Sequence, residues 1–409
     1  MDRTNELFLN ILCAALRGEQ FRVPEDVPAD AWQTLLRMAA IHKVDALFLE
    51  AVHASGTLQN TVPELAVSLK RQVRQQVVLQ TIRTSEFLAL NELLKAAGIP
   101  VIVVKGITCR ELYPSPDHRP SADEDVLIRP EDFDACREVF ARFGLETTME
   151  EQEASDSYEI PWRKPGSPLY IELHKQLFPE ASGAYGDLNR FFEGVFERSV
   201  EISACGGTIR TMDPTDHLFY LICHAFKHFL HSGFGIRQIC DILLFAERFG
   251  AEIDWELVLE NCRAIRADRF AAALFAIGSA HLAFDRELAR YPESWRAISA
   301  DGTALLLDVL SSGIYGTADA DRTHSSTITL DAVAAGKEGR RARGVIASAF
   351  PAARELEGRY PYLKKHPWLL PAAWASRIVH YAQEDTSAAE ALKTGRERVA
   401  LLRKYGIID

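Results

Sequence analysis

Ile99-Pro100-Val101-Ile102-Val103-Val104-Lys105-Gly106 and, a little further on, Asp123-Glu124-Asp125-Val126-Leu127-Ile128 are the stretches whose reading decides the fold. The first is a short β-branched run that empties into Lys-Gly. It reads as a buried strand ending in a turn. The second sets three acids before three branched aliphatics and reads as another strand, over 123–128. Side chains alternate along a strand with period two, so Asp123 and Asp125 project from one face. Between the strands the sequence predicts a short helix over 107–112, then a loop over 113–122 holding three prolines. Pro130 suits the first turn of a helix that runs to Gly144, with Glu131 and Asp132 near its positive end. Further strands are expected over 145–149, 158–162 and 169–173.

Outward from this core the texture is helical. Trp32, Leu35, Leu36, Ala39 and Ala40 recur at helical spacing. A longer helical pattern covers 65–97 and stops at Gly98. Downstream, Asp213-Pro214 opens a helix carrying Leu218, Leu221, Ile222, Ala225 and Phe229. Helices are also expected over 255–264, 269–282 and 304–311. Thr317 to Ser326 reads as a polar, mobile loop. Arg340, Arg341 and Arg343 read as a solvated basic face, and Tyr360 to Trp374 as a segment packing across a domain interface. The expected class is therefore α+β. A small mixed sheet core over 98–210 is flanked by helical regions over 1–97 and 211–409.

Lys and Arg total 46 against 57 Asp and Glu, a net charge of −11. Such a field repels polyanions, and no basic stripe offsets it, so long nucleic acid is excluded as a partner. The seven cysteines are odd in number, widely spaced and without a C-x-x-C pair. That pattern fits a reduced cytoplasmic protein, not a disulfide framework. The longest apolar stretch, Phe270 to Phe284, is too short to span a membrane and contains His281.

The chemistry centres on the acidic pair. Two carboxylates on one face of a buried strand repel each other, and a bound cation removes that penalty. Magnesium (or manganese) takes hard oxygen ligands and shares its remaining positions with water and phosphate. Upstream, Gly106 lets backbone amides approach a phosphate, and Lys105 offers a point charge. Downstream, Tyr170-Ile171-Glu172-Leu173-His174 puts Glu172 and His174 on one strand face. Glu172 would be the third carboxylate, a metal ligand and a base toward an acceptor hydroxyl. Arg119, just before the pair, is either a bidentate phosphate clamp or a surface arginine in a turn. Arg110 is a weaker nucleotide-binding candidate. His224 and His228 have the i, i+4 spacing of a zinc pair, but Ala225 stands where a zinc protease needs glutamate. They read as core or capping histidines. The alternative is that His224, Lys227, His228, Arg237 and Asp241, together with His174, line the acceptor side.

Taken together, the strand, the Lys105-Gly106 turn, Asp123-x-Asp125 and Glu172 resemble the DNA polymerase beta-like nucleotidyltransferase superfamily. The chain is more similar still to a bacterial family of uncharacterised nucleotidyltransferases. Lys105-Gly106, Arg119, Glu172-x-His174, His224, His228, Asp241 and the Tyr360 to Pro367 stretch carry that likeness. The resemblance implies an enzyme that moves a nucleoside monophosphate group from a nucleoside triphosphate, ATP among the candidates, to a hydroxyl of a small-molecule, peptide or protein acceptor. It implies Mg2+ or Mn2+ held by Asp123, Asp125 and Glu172, with Lys105, Gly106, Arg119 and Arg110 on the nucleotide. Ile107 replaces the small residue usual after the turn, Glu124 replaces a usual hydrophobic residue, and the spacer before Asp123 is long. Those departures keep two alternatives in view: a nucleotide-binding scaffold that has lost turnover, and a small-molecule phosphotransferase.

Overall fold

The computed structural model of the protein describes residues 1–180, 184–313, 329–330, 332–334, 353–356, 360–364, 366–383 and 388–409. The loop expected over 317–326 and the arginines at 340, 341 and 343 lie outside the described residues. Helices α1 (Arg3–Leu16), α2 (Ala29–Ile41), α3 (Asp45–Val52) and α4 (Thr57–Thr61) lead into α5 (Pro63–Ala96). Pro63 occupies the first turn of α5, and Gly98 just past its end takes a positive φ of 71°. The core follows as β1 (Val101–Val104), α6 (Gly106–Arg110), β2 (Glu124–Ile128), α7 (Phe133–Phe143), α8 (Glu151–Asp156), β3 (Glu159–Arg163), β4 (Tyr170–His174), α9 (Val195–Arg198), β5 (Val200–Ala204) and β6 (Gly207–Thr211). Then come α10 (Pro214–His231), α11 (Ile236–Phe249), α12 (Trp255–Ala264) and α13 (Asp268–His281). Asp213 caps α10, its carboxylate accepting from the amides of Thr215 and Asp216.

The class is α+β, as the sequence predicts. The four-stranded sheet has the order β1-β2-β4-β3, with β2 and β4 parallel and the other pairs antiparallel. It is covered on both faces, which is why its strands read as nearly unbroken apolar runs. Val101, Val103, Val126, Ile128, Ile171 and Leu173 point into a core shared with Phe87, Leu90 and Leu94 of α5 and Phe140 of α7. Each such side chain contributes about 1.5–3 kcal/mol on burial. Ile102, Val104 and Leu127 point the other way. They join the larger core, which runs from Phe8 and Trp32 through α10 to α13 and on to Leu402. Asp125 belongs to this second face, toward α10.

Two local expectations fail. No strand forms over 145–149. After Gly144 closes α7 with φ 86°, only Glu146 bridges to Arg163, and α8 begins at Glu151. Only Leu145 of that stretch is buried, so little holds it against the sheet edge. Conversely, Val200–Ala204 and Gly207–Thr211 form a hairpin that the sequence reading left unassigned. Its two-residue turn places Cys205 and Gly206 at φ 49° and 84°, the geometry that suits the twist of a hairpin. The Thr211 hydroxyl donates to the Val103 carbonyl at 2.6 Å and ties the hairpin to β1. In the segment 360–374, Leu363 and Ala373 form a small cluster with Leu356, and Trp368 is 72% exposed. All seven cysteines are free. Among the described residues no helix is long and apolar enough to cross a membrane.

Candidate active site

The site begins where β1 ends. Lys105 takes φ 51°, a left-handed conformation that costs a non-glycine residue about 1 kcal/mol or more. Helix α10 holds it there. The Lys105 amide donates to Nε2 of His217 at 3.4 Å. His217 Nδ1 lies 3.3 Å from the Thr211 hydroxyl, which in turn donates to Val103. An accepting Nε2 assigns the proton to Nδ1. Burial keeps this ring neutral by pushing its pKa down to about 3. So positioned, the Lys105 ammonium lies 2.8 Å from Asp125 Oδ1 and 3.1 Å from His224 Nε2.

Register assembles the carboxylates. Asp125 pairs with Glu172 across the parallel strands β2 and β4, and Leu127 pairs with His174, so Asp125, Glu172 and His174 share the face toward α10. Asp123 precedes the strand in the same phase. Asp125 is 1% exposed. Burial alone would raise its carboxyl, but Lys105 and His174 outweigh that and hold it near about 2. Asp123 is raised by burial and by the Asp125 charge. Glu172 is pushed up to about 8 by burial, then by Asp125 and Asp123. One lysine thus serves the deepest carboxylate, while its neighbours hold protons more tightly than usual.

His174, expected on the acceptor side, sits inside this cluster. Its Nε2 lies 3.2 Å from Asp125 Oδ1 and 3.9 Å from Glu172 Oε2. Asp125, Glu172 and His174 offer ligand atoms within 4.8 Å of one another, a group that Asp123 does not join. Asp125 Oδ2 is buried and accepts no hydrogen bond. A buried carboxylate oxygen without a donor, set among further carboxylates, fits a divalent cation.

Ile107 and Glu124, the two residues singled out in the sequence as unusual, answer each other. Glu124 alternates away from Asp123 and Asp125, toward α6. Its carboxylate accepts the Ile107 amide at 2.9 Å and pairs with Arg110 at 2.5 Å. Ser121 joins the pair, and Arg110 also donates to Thr84 of α5 at 3.2 Å. Arg110, expected on the nucleotide, is fully buried in this network and holds the turn. The Ile107 amide is likewise engaged by Glu124. A β-carbon at Gly106 would run into the Glu124 carboxylate, and φ there is +27°. Gly106→Ala is expected to lower stability by about 1–3 kcal/mol, read as a shift in urea midpoint. An unchanged midpoint would show the turn to be loose.

Helices α10 and α11 roof the carboxylates. From α10 come His217, Tyr220, His224, Lys227 and His228; from α11, Arg237, Gln238 and Asp241. Asp241 takes Arg119 bidentately, at 3.1 and 2.6 Å, and also the Tyr113 hydroxyl at 2.8 Å. Arg119 is therefore clamped and only 4% exposed, though it still lines the site. Two lobes meet at Lys105, Asp123, Asp125 and His224. A narrow one of about 30 Å³ is lined by Gly106, Arg119, Arg237 and Asp241. A wide one of about 240 Å³ is lined by Glu159, Glu172, Phe178, Tyr220, Lys227 and His228. Arg237 and Asp241 thus stand apart from Lys227 and His228, with which they were grouped. Sequence reasoning missed His217, Tyr220 and Glu159. His217 lies one heptad before His224 on the same helix face, and Glu159 neighbours His174 across β3 and β4.

Buried histidines give the fold a pH limit. Burial pushes His42 and His231 down to about 4, and His217 and His228 to about 3. Unfolded histidines protonate near about 6.5. Below that pH the unfolded chain binds more protons, so stability present above pH 6.5 is lost as pH falls toward those native values. His217→Gln is expected to flatten the decline by one proton. Denaturation midpoints between pH 4 and 8 test this, and equal slopes in both proteins reject it.

The family described as uncharacterised nucleotidyltransferase matches residues 28–283, from α2 to just past α13. No curated protein and no solved structure matches the chain. The matched span holds the sheet, the Lys105-Gly106 turn, the three carboxylates and both roofing helices, and the chain belongs to the uncharacterised nucleotidyltransferase family.

Proposed function

We propose that this protein is a metal-dependent nucleotidyltransferase that moves a nucleoside monophosphate from a nucleoside triphosphate to a hydroxyl of a small-molecule, peptide or protein acceptor. The observation that carries the reading is the in-register pair Asp125 and Glu172, reached by Lys105 from the preceding turn. A divalent cation bound there neutralises phosphate charge and lowers the cost of the in-line displacement. Lys105 steadies the phosphates, with Arg237 beside it in the narrow lobe. The wide lobe, with Phe178 and Tyr220 on its wall, takes organic groups. The acceptor oxygen bonds to the α-phosphorus as the α–β phosphoanhydride bond breaks, and pyrophosphate leaves with the bonding pair. Glu172 accepts the hydroxyl proton as general base. The charge of −11 turns the acceptor class away from long nucleic acid.

The test is pyrophosphate release from ATP, CTP, GTP and UTP over a panel of hydroxyl acceptors, with mass spectrometry of the product. A nucleoside monophosphate adduct is expected. A phosphate ester instead would mark a phosphotransferase. Nucleotide binding without any adduct would mark a scaffold.

A further inference from the structure

The carboxylate cluster contains an imidazole, and that bears on which ion it selects. We propose that His174 Nε2 is a direct metal ligand beside Asp125 and Glu172, with Glu159 as the partner of its other nitrogen, and that the site therefore prefers a first-row transition ion to magnesium. This deepens the metal-dependent reading above and takes its metal site as given.

Three observations converge. First, the separations suit one ion. Two atoms each about 2.1 Å from a cation lie roughly 3 Å apart when adjacent in its shell. His174 Nε2 is 3.2 Å from the Asp125 carboxylate at Oδ1 and 3.9 Å from Glu172 Oε2, and one ligand atom of each residue lies within 4.8 Å of the others, so a small rotation of the Asp125 carboxylate lets the three share one centre.

Second, the far side of the ring is prepared. His174 Nδ1 is buried, makes no hydrogen bond, and faces Glu159 Oε2 at 3.9 Å. With Nε2 given to a metal, the ring proton sits on Nδ1 and the Glu159 carboxylate is the acceptor in front of it. That carboxylate–histidine–metal line is the usual way a ligating imidazole is oriented. Register makes it so, because Glu159 is the strand partner of His174.

Third, Asp125 keeps an oxygen for the ion. Lys105 and His174 both engage Oδ1, whereas Oδ2 is buried and accepts nothing. The residue is 1% exposed, so leaving that oxygen without a partner is costly.

The selectivity follows from ligand softness. Magnesium demands oxygen ligands and gives up water reluctantly, whereas imidazole suits the borderline ions of the first transition row.

The experiment uses the full chain, stripped of metal, with Mn2+ as the spectroscopic probe and Mg2+ as competitor. Pulsed electron paramagnetic resonance of the Mn2+ complex is expected to show a directly coordinated nitrogen. Calorimetry is expected to show Mn2+ binding at least about 10-fold tighter than Mg2+. His174→Gln removes the nitrogen coupling. His174→Asp gives an all-oxygen set and narrows the Mn2+ to Mg2+ affinity ratio by about 10-fold. Glu159→Gln keeps the nitrogen but weakens Mn2+ by about 10-fold, the usual effect of losing an orienting partner. Bound Mn2+ without nitrogen coupling in the unsubstituted protein overturns the proposal, whatever the variants do. So does coupling that survives His174→Gln, or failure to bind Mn2+ at all. Because none of these readouts needs turnover, the two readings separate. Nucleotidyl transfer with no nitrogen coupling sinks this proposal alone, and nitrogen coupling with no nucleotidyl adduct sinks the proposed reaction alone.

Discussion

Asp125→Asn is expected to reduce pyrophosphate release by about 10³-fold or more while the protein stays folded. The substitution keeps the side-chain volume and removes the charge that joins Lys105 and His174. Lys105 contacts Asp125 directly, at 2.8 Å, and helps hold its carboxyl down to about 2. Its neighbours Asp123 and Glu172 hold protons more readily. Asp123→Asn, outside the tight group formed with Glu172 and His174, should cost less. The check is steady-state pyrophosphate release beside circular dichroism melting. Activity within about threefold of the unsubstituted protein would remove Asp125 from the mechanism.

The largest effect on stability is expected behind the site, at Arg110 and Glu124. Both side chains are fully buried and paired. Arg110→Met should cost about 3–5 kcal/mol, because it strands the Glu124 carboxylate without its cation. Glu124→Leu should cost as much, stranding Arg110 and also the Ile107 amide. The double substitution Arg110→Met with Glu124→Leu should fall well short of the sum, since no buried charge is then left alone. Urea denaturation of the four proteins closes the cycle. Additive losses would show that the pair is not an energetic unit. Loss of the pair should also loosen the Lys105-Gly106 turn, so the variants link the far side of β2 to the near side.

Much of this arrangement was legible along the chain, and the reasons are local. The β-branched run 101–104 and the aliphatics 126–128 are strands because a sheet covered on both faces needs them apolar throughout. Alternation put Asp123 with Asp125, and Glu172 with His174, because neighbours two apart share a face in any strand. The hairpin at 200–211 was equally local, with Ile202 opposite Ile209 around a Cys-Gly turn, but its polar alternation hid it. The stretch 145–149 misled because its threonines suit a strand, although only Leu145 is buried and Met149 only partly so against the same core.

Pairing across the sheet was a different matter. Nothing between 125 and 172 specifies that β2 and β4 run parallel in the register that sets Asp125 beside Glu172 and Glu159 beside His174. Arg110 looked like a nucleotide ligand because a charge in a turn after a glycine usually meets solvent. Only the packed structure shows Glu124, fourteen residues on, turned to receive it. His217 carried no local signal, and its contact with the Lys105 amide exists only because α10 lies across the end of β1.

The sequence by itself determined the class, the strand phases and the four residues at the centre: Lys105, Asp123, Asp125 and Glu172. Those follow from periodicity and from the affinities of residue types, which are properties of short segments. The tertiary structure decided which of them touch, and it set His174 in the carboxylate cluster and Arg110 in a buried pair with Glu124. Those outcomes depend on strand register and on how helices seat against a sheet. Both are set by the packing of side chains far apart in the chain, and no local pattern carries that information.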